Sequence, residues 1–170
     1  MIKLLRKCLL IVLFFPCILL ADENTHNNSS FVALNSGSIS YFEPDIKTNV
    51  HGIEYRNKAR LKWNIIPAVG YMWSNQHSKY IYVDLKHDWN FKTKWFLTTS
   101  LGAGIFHNTH ELNLGHPVEF RTGLEVSYEL KMGYRLGLTA YHISNSKLSN
   151  KNPGTEILVF TIILPLKPFK

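Results

Sequence analysis

The stretch Val118-Glu119-Phe120-Arg121-Thr122-Gly123-Leu124-Glu125-Val126-Ser127-Tyr128-Glu129 decides the fold. Val118, Phe120, Thr122, Leu124, Val126 and Tyr128 fall on one parity, and Glu119, Arg121, Gly123, Glu125, Ser127 and Glu129 on the other. A helical period cannot separate the residues this way, whereas a strand does so automatically, because successive side chains point to opposite faces. One face is therefore greasy and the other charged.

The same alternation recurs on both sides. Ile81, Val83 and Leu85 stand against Tyr82, Asp84 and Lys86; Ile53, Tyr55, Ala59 and Leu61 stand against Glu54, Arg56, Arg60 and Lys62. Reading outward, the pattern predicts strands near 31–42, 48–62, 65–74, 79–88, 94–107, 117–129, 132–144 and 155–165. Eight is a number of strands that closes into a barrel. A strand of about 13 residues rises about 3.3 Å per residue and, tilted near 45°, covers about 30 Å, enough to cross an outer membrane. Soluble strands average about 5 or 6 residues. A soluble lipocalin-like barrel would place its apolar face inward. The expectation is an all-β chain, an eight-stranded antiparallel outer-membrane β-barrel, with apolar residues on the lipid side and charges in the lumen.

The connections fit. Short turns are expected at Trp63-Asn64, Trp89 to Thr93 and Leu130-Lys131 on the periplasmic side. The alternate connections, near 43–47, 75–78, 108–116 and 145–154, are mostly longer and would face outward. Trp63, Trp73, Trp89 and Trp95 fall near strand ends, where an aromatic girdle sits.

The amino terminus reads as a secretory signal. Lys3, Arg6 and Lys7 precede an apolar run from Cys8 to Leu20, then Ala21 and the polar Asp22-Glu23-Asn24. That run is shorter than the roughly 20 residues of a membrane helix. The expected division is 1–21 as signal and 22–170 as a single barrel domain. Cys8 and Cys17 both lie in the signal, so the mature domain has no disulfide to draw on. Loss of its three cations lowers the formal charge from +7 to +4. That excess suits an anionic partner without naming one.

Chemistry gathers at the end of the seventh strand. Leu136, Leu138 and Ala140 share a parity that continues into His142 and Ser144, while Glu156 heads the matching parity of the eighth strand, before Leu158, Phe160, Ile162 and Leu164. Residues two apart point the same way, and a neighbouring strand brings Glu156 alongside. The trio supplies a nucleophile, a base and an orienting acid. Spacing alone equally suits three polar residues at the membrane rim, where a lipid-facing carboxylate costs only about 0 to 1 kcal/mol.

The strings themselves say more. His142-Ile143-Ser144-Asn145 followed by Asn152-Pro153-Gly154-Thr155-Glu156 resembles the H-x-S-N and N-x-G-x-E signature of the PagL family of lipid A 3-O-deacylases. The motif likeness covers about residues 140–165, and signal, length and strand count agree elsewhere. The resemblance implies Ser144 as nucleophile, His142 as general base and then acid, and Glu156 as orienting carboxylate. It implies that Asn145 contributes to an oxyanion hole, chiefly through its backbone N–H, and that Asn152 holds the loop. Family members commonly carry a small residue and then glycine after the asparagine, where this chain has Ser146 and Lys147; the Lys147 side chain either narrows the hole or meets a lipid A phosphate. The implied partners are lipopolysaccharide and the outer membrane of a Gram-negative cell, with no nucleic acid and no cofactor. His107, His110 and His116 read as solvated loop histidines, not metal ligands. The oligomeric state stays open, a homodimer included. The alternative is a non-catalytic eight-stranded barrel with an adhesin-like or structural role.

Overall fold

The structure, a computed structural model, describes residues 29–39, 48–59, 63–110 and 112–167. The signal expected at 1–21 and the loop at 43–47 lie outside the described residues. The strands are β1 (Phe31–Ile39), β2 (Thr48–Arg56), β3 (Ile66–Ser74), β4 (Lys79–Lys92), β5 (Trp95–His107), β6 (Val118–Glu129), β7 (Arg135–Ser144) and β8 (Thr155–Pro165). Each pairs antiparallel with the next, and β1 also pairs with β8, so the sheet closes as a barrel. Closure leaves no edge strand with unpaired backbone groups, a condition for crossing lipid with strands.

The parity read from the sequence is the parity of the wall. On β4, Ile81, Val83 and Leu85 are exposed, while Tyr82, Asp84 and Lys86 are buried. On β6, Phe120, Leu124 and Val126 face out, and Glu119, Arg121, Glu125 and Ser127 face the lumen. The outer belt of Val, Ile, Leu and Phe is the surface that hydrocarbon covers.

Boundaries differ from the sequence reading in three places. β2 ends at Arg56, not at 62, so Ala59 is outside the strand and Arg60, Leu61 and Lys62 are outside the described residues. β4 runs on to Lys92 through what reads as a turn at Trp89 to Thr93, with an irregularity between Asn90 and Lys92 where it meets Trp95. The reversal then needs only Thr93 and Lys94. β7 starts at Arg135 because Met132 and Gly133 take left-handed backbone angles inside a short 3-10 turn, which no extended strand tolerates. The Trp63-Asn64 turn forms as expected, with both residues left-handed. β1, β2 and β3 have 9 residues each, fewer than the 13 anticipated.

Two layers of the lumen bear on the outer wall's loop end. Midway along the barrel, Glu54 meets Arg56 (2.7 Å), Lys86 (3.2 Å) and Arg121 (3.0 Å), and Arg56 spans the lumen to Glu125 (2.6 Å). Arg121 also pairs with Asp84, and its guanidinium lies between the Tyr82 ring (3.5 Å) and the Tyr141 ring (4.1 Å). Thr139 links Glu125 to Thr161, which reaches Asn35. Removing one member of such a cluster leaves a buried charge unpaired, at a cost of about 3–5 kcal/mol. Above this layer, toward the end bearing the long connections, the lumen turns apolar, with Ile39, Val50, Met72, Phe106, Leu112, Leu114, Ile143 and Ile157 packed together. This apolar layer is the backing against which the loop-end wall is built.

Candidate active site

His142 and Glu156 occupy directly opposed positions on β7 and β8. Both side chains point outward, because their neighbours Ile143, Thr155 and Ile157 are the inward-facing, buried members of the alternation. His142 Nδ1 lies 3.4 Å from Glu156 Oε1. The pair is neither buried nor fully wet, with side-chain exposures of 34% and 19%. Ser144, two residues along the same face, is the last residue of β7 and also half-buried. Among the described residues no hydrogen bond joins Ser144 Oγ to the imidazole, and the two side chains share one face of β7. The pleat thus places the three groups on one outward face of the wall.

On the far side, Thr122 is opposite His142 and Phe120 is opposite Ser144. Along the barrel, Ala140 sits below His142, with Leu124 on one flank and Leu158 on the other. Ala140 is the small residue in that row.

Two loops lock the strand ends. Asn145 is fully buried; its side-chain NH2 donates to the carbonyls of Leu114 (2.9 Å) and Lys151 (2.8 Å), and its Oδ1 accepts from the Lys147 N–H (3.0 Å). Its own backbone N–H donates to Asn152 Oδ1 (3.1 Å). In this structure the N–H that the family resemblance implies for an oxyanion hole donates within the loop, and the side chain ties the loop together. Ser146 and Lys147, which follow at φ of 50° and 68°, turn the chain away from the strand. The Ser146 N–H is used by no hydrogen bond among the described residues.

Two glycines meet these groups at close range. Gly154, at φ +67°, packs its Cα beneath His142: a Cβ there would lie 3.2 Å from Cε1 of the imidazole and 3.3 Å from the Ile143 carbonyl oxygen. Gly115, at φ +93°, lies so close to Lys151 that a Cβ would come within 2.1 Å of its carbonyl oxygen. The loop after β5 is therefore part of the site's scaffold. Asn108 holds it in shape, accepting the Leu114 N–H (2.7 Å) and reaching the His116 carbonyl, while His116 Nδ1 accepts the Val118 N–H (3.0 Å). Sequence reasoning missed Asn108, Leu114 and Gly115. The available signal was Leu112 and Leu114, apolar residues inside an otherwise polar connection, which pack into the lumen's apolar layer.

A family model described as "Lipid A 3-O-deacylase (PagL)" matches residues 47–165. Among solved structures, the chain is similar to the outer membrane enzyme PagL, with a TM-score of 0.65 and 17% identity over 80% of this chain and 99% of that one. It is also similar to Neisserial surface protein A (TM-score 0.61, 12% identity, 79% and 96% covered). A de novo designed transmembrane β-barrel gives a TM-score of 0.56 at 12% identity, with 82% and 96% covered. At these identities the structural likenesses show the fold. No curated protein matches the sequence.

Proposed function

The chain belongs to the lipid A 3-O-deacylase (PagL) family of outer-membrane β-barrels, and from that premise we propose that it is a serine esterase releasing the 3-O-linked 3-hydroxyacyl chain of lipid A in the outer leaflet. The observation that carries the reading is the opposition of His142 and Glu156 across β7 and β8, with Ser144 next on the same outward face.

Each group then has a definite task. A serine hydroxyl attacks an ester poorly until a base removes its proton, and a well-placed base is worth about 10² to 10⁴ in rate. His142, through the nitrogen not facing Glu156, takes that proton as Ser144 Oγ bonds to the ester carbonyl carbon. Glu156 fixes the tautomer and stabilises the imidazolium. The 3.4 Å separation is long for a hydrogen bond; catalytic contacts commonly tighten only around bound substrate. When the tetrahedral intermediate collapses, the sugar 3-oxygen leaves with the proton from His142, and Ser144 keeps the acyl group. Water, deprotonated by His142, then attacks the acyl-enzyme and frees the 3-hydroxy fatty acid. The unengaged Ser146 N–H is our assignment for a donor to the oxyanion; one such donor contributes about 3 kcal/mol in esterases.

The wall explains the choice of substrate. An acyl chain lying in hydrocarbon along Leu138 and Ala140 brings its ester up to the level of His142 and Ser144, where the strands end and water reaches the loops. A lumenal site could not meet a lipid this way. The chemistry calls for no metal or cofactor.

The test is the mass spectrum of lipid A from cells expressing the protein. The expected result is a loss equal to one 3-hydroxyacyl group, absent with Ser144→Ala. An added chain, or an unchanged spectrum with folded wild-type protein in the outer membrane, rejects the assignment.

A further inference from the structure

The loop that follows Ser144, residues 145–154, contains two lysines and no acidic residue. Lys147 and Lys151 are both exposed. Neither ammonium has an ion-pair partner among the described residues, in contrast to the buried Lys86, which meets Glu54 and Asp84. Their backbones are nevertheless fixed, and by the same side chain. The buried amide of Asn145 accepts the Lys147 N–H through Oδ1 (3.0 Å) and donates from Nδ2 to the Lys151 carbonyl (2.8 Å). Gly115 packs against that carbonyl from the other side. Lys147 also occupies the left-handed region, which a side chain with a Cβ adopts at a cost. These are two unpaired cations launched from an anchored backbone beside a hydrolytic site.

Such an arrangement suits an anion with several acceptor oxygens, and a lipid A sugar carries one as a phosphate monoester. We propose that Lys147 and Lys151 form a clamp for the phosphate of the substrate's own sugar headgroup, and so determine which ester is presented to Ser144. The inference rests on the deacylase reading. Lys147 is three residues past Ser144, so the chain path between them is at most about 11 Å. A phosphate held there lies on the headgroup side of the ester, with the acyl chain running down the apolar wall. Ammonium groups bind phosphate as point charges, so the clamp aligns the sugar without demanding one fixed geometry.

The experiment compares lipid A with and without its phosphates, in micelles of an uncharged detergent. Wild-type protein is expected to favour the phosphorylated substrate by about tenfold in kcat/KM, on the scale of two exposed charge contacts. The double variant Lys147→Ala/Lys151→Ala is expected to bring the two rates together, and Lys147→Arg/Lys151→Arg to keep them apart. An unchanged ratio in the alanine variant overturns the clamp, including the case where both rates fall equally, as does the absence of any preference in wild type. Phosphatidylglycerol added to micelles of dephosphorylated substrate separates the sources of phosphate: recovery of the wild-type rate would mean that a neighbouring lipid supplies the anion, against the proposal. Binding of the two lipids to Ser144→Ala protein, with and without the lysines, reads the same preference without hydrolysis. If wild type hydrolyses neither substrate, the deacylase reading fails while this binding comparison still decides the clamp.

Discussion

The central cluster of ionisable side chains in the lumen and the polar trio on the outer wall are built on opposite terms. In the lumen, Glu54, Arg56, Asp84, Lys86, Arg121 and Glu125 are nearly inaccessible and bound to one another at several points each. On the wall, His142 Nδ1 lies 3.4 Å from Glu156 Oε1 with both side chains partly exposed, and Ser144 stands half-buried on the same outward face. A buried charge must be saturated because the interior cannot solvate it. A reacting group must keep one valence for the substrate. On the proposed reading, the lumen supplies rigidity and the wall supplies chemistry.

Mutations should separate the two clusters. The largest effect expected is on the wall: His142→Ala should lower kcat on lipid A by about 10⁴-fold or more, because nucleophile and base act as one unit. Folding should be untouched, as read by the heat needed to convert the fast-migrating form on a gel. A His142→Ala protein that unfolds early would show that the wall trio is part of the stabilising framework, and the contrast would break. Next, Arg121→Ala should destabilise the barrel by about 3–5 kcal/mol, since Asp84 and Glu54 lose a buried partner. Urea unfolding in detergent measures it, and protein surviving in the folded state should keep its kcat. The smallest expected effect falls between the clusters, at Gly154→Ala. The added methyl meets the imidazole edge at a backbone angle that disfavours a Cβ. A shift of the ring by a fraction of an ångström should lower kcat by about 10- to 100-fold and leave KM nearly unchanged.

The same contrast explains what could be read in advance. Parity along Val118 to Glu129 is a local property, visible in one strand at a time, and it carries both the barrel and the outward placement of His142, Ser144 and Glu156. Partners inside the lumen are not local. That Arg56 crosses to Glu125, or that Arg121 lies between Tyr82 and Tyr141, depends on the stagger of strands around the closed sheet, which alternation does not encode. Strand ends were also hidden, because polarity continues past the point where β2 stops at Arg56 and through the turn expected after Trp89. The part of the site that escaped sequence reasoning was the contact between loops. The family resemblance implies Asn145 for the oxyanion hole, and in the structure its donors close on Leu114, Lys151 and Asn152 where the two loops meet.

On the proposed reading, this pleat produces an activated serine on the lipid-facing wall. Labelling of the detergent-solubilised protein with a lipophilic fluorophosphonate tests it directly, with the adduct located by peptide mass spectrometry. A single phosphonylated residue, Ser144, is expected, with labelling strongly slowed by His142→Ala and by Glu156→Ala. No labelling of folded wild-type protein, or an adduct that forms equally fast without His142, would contradict it.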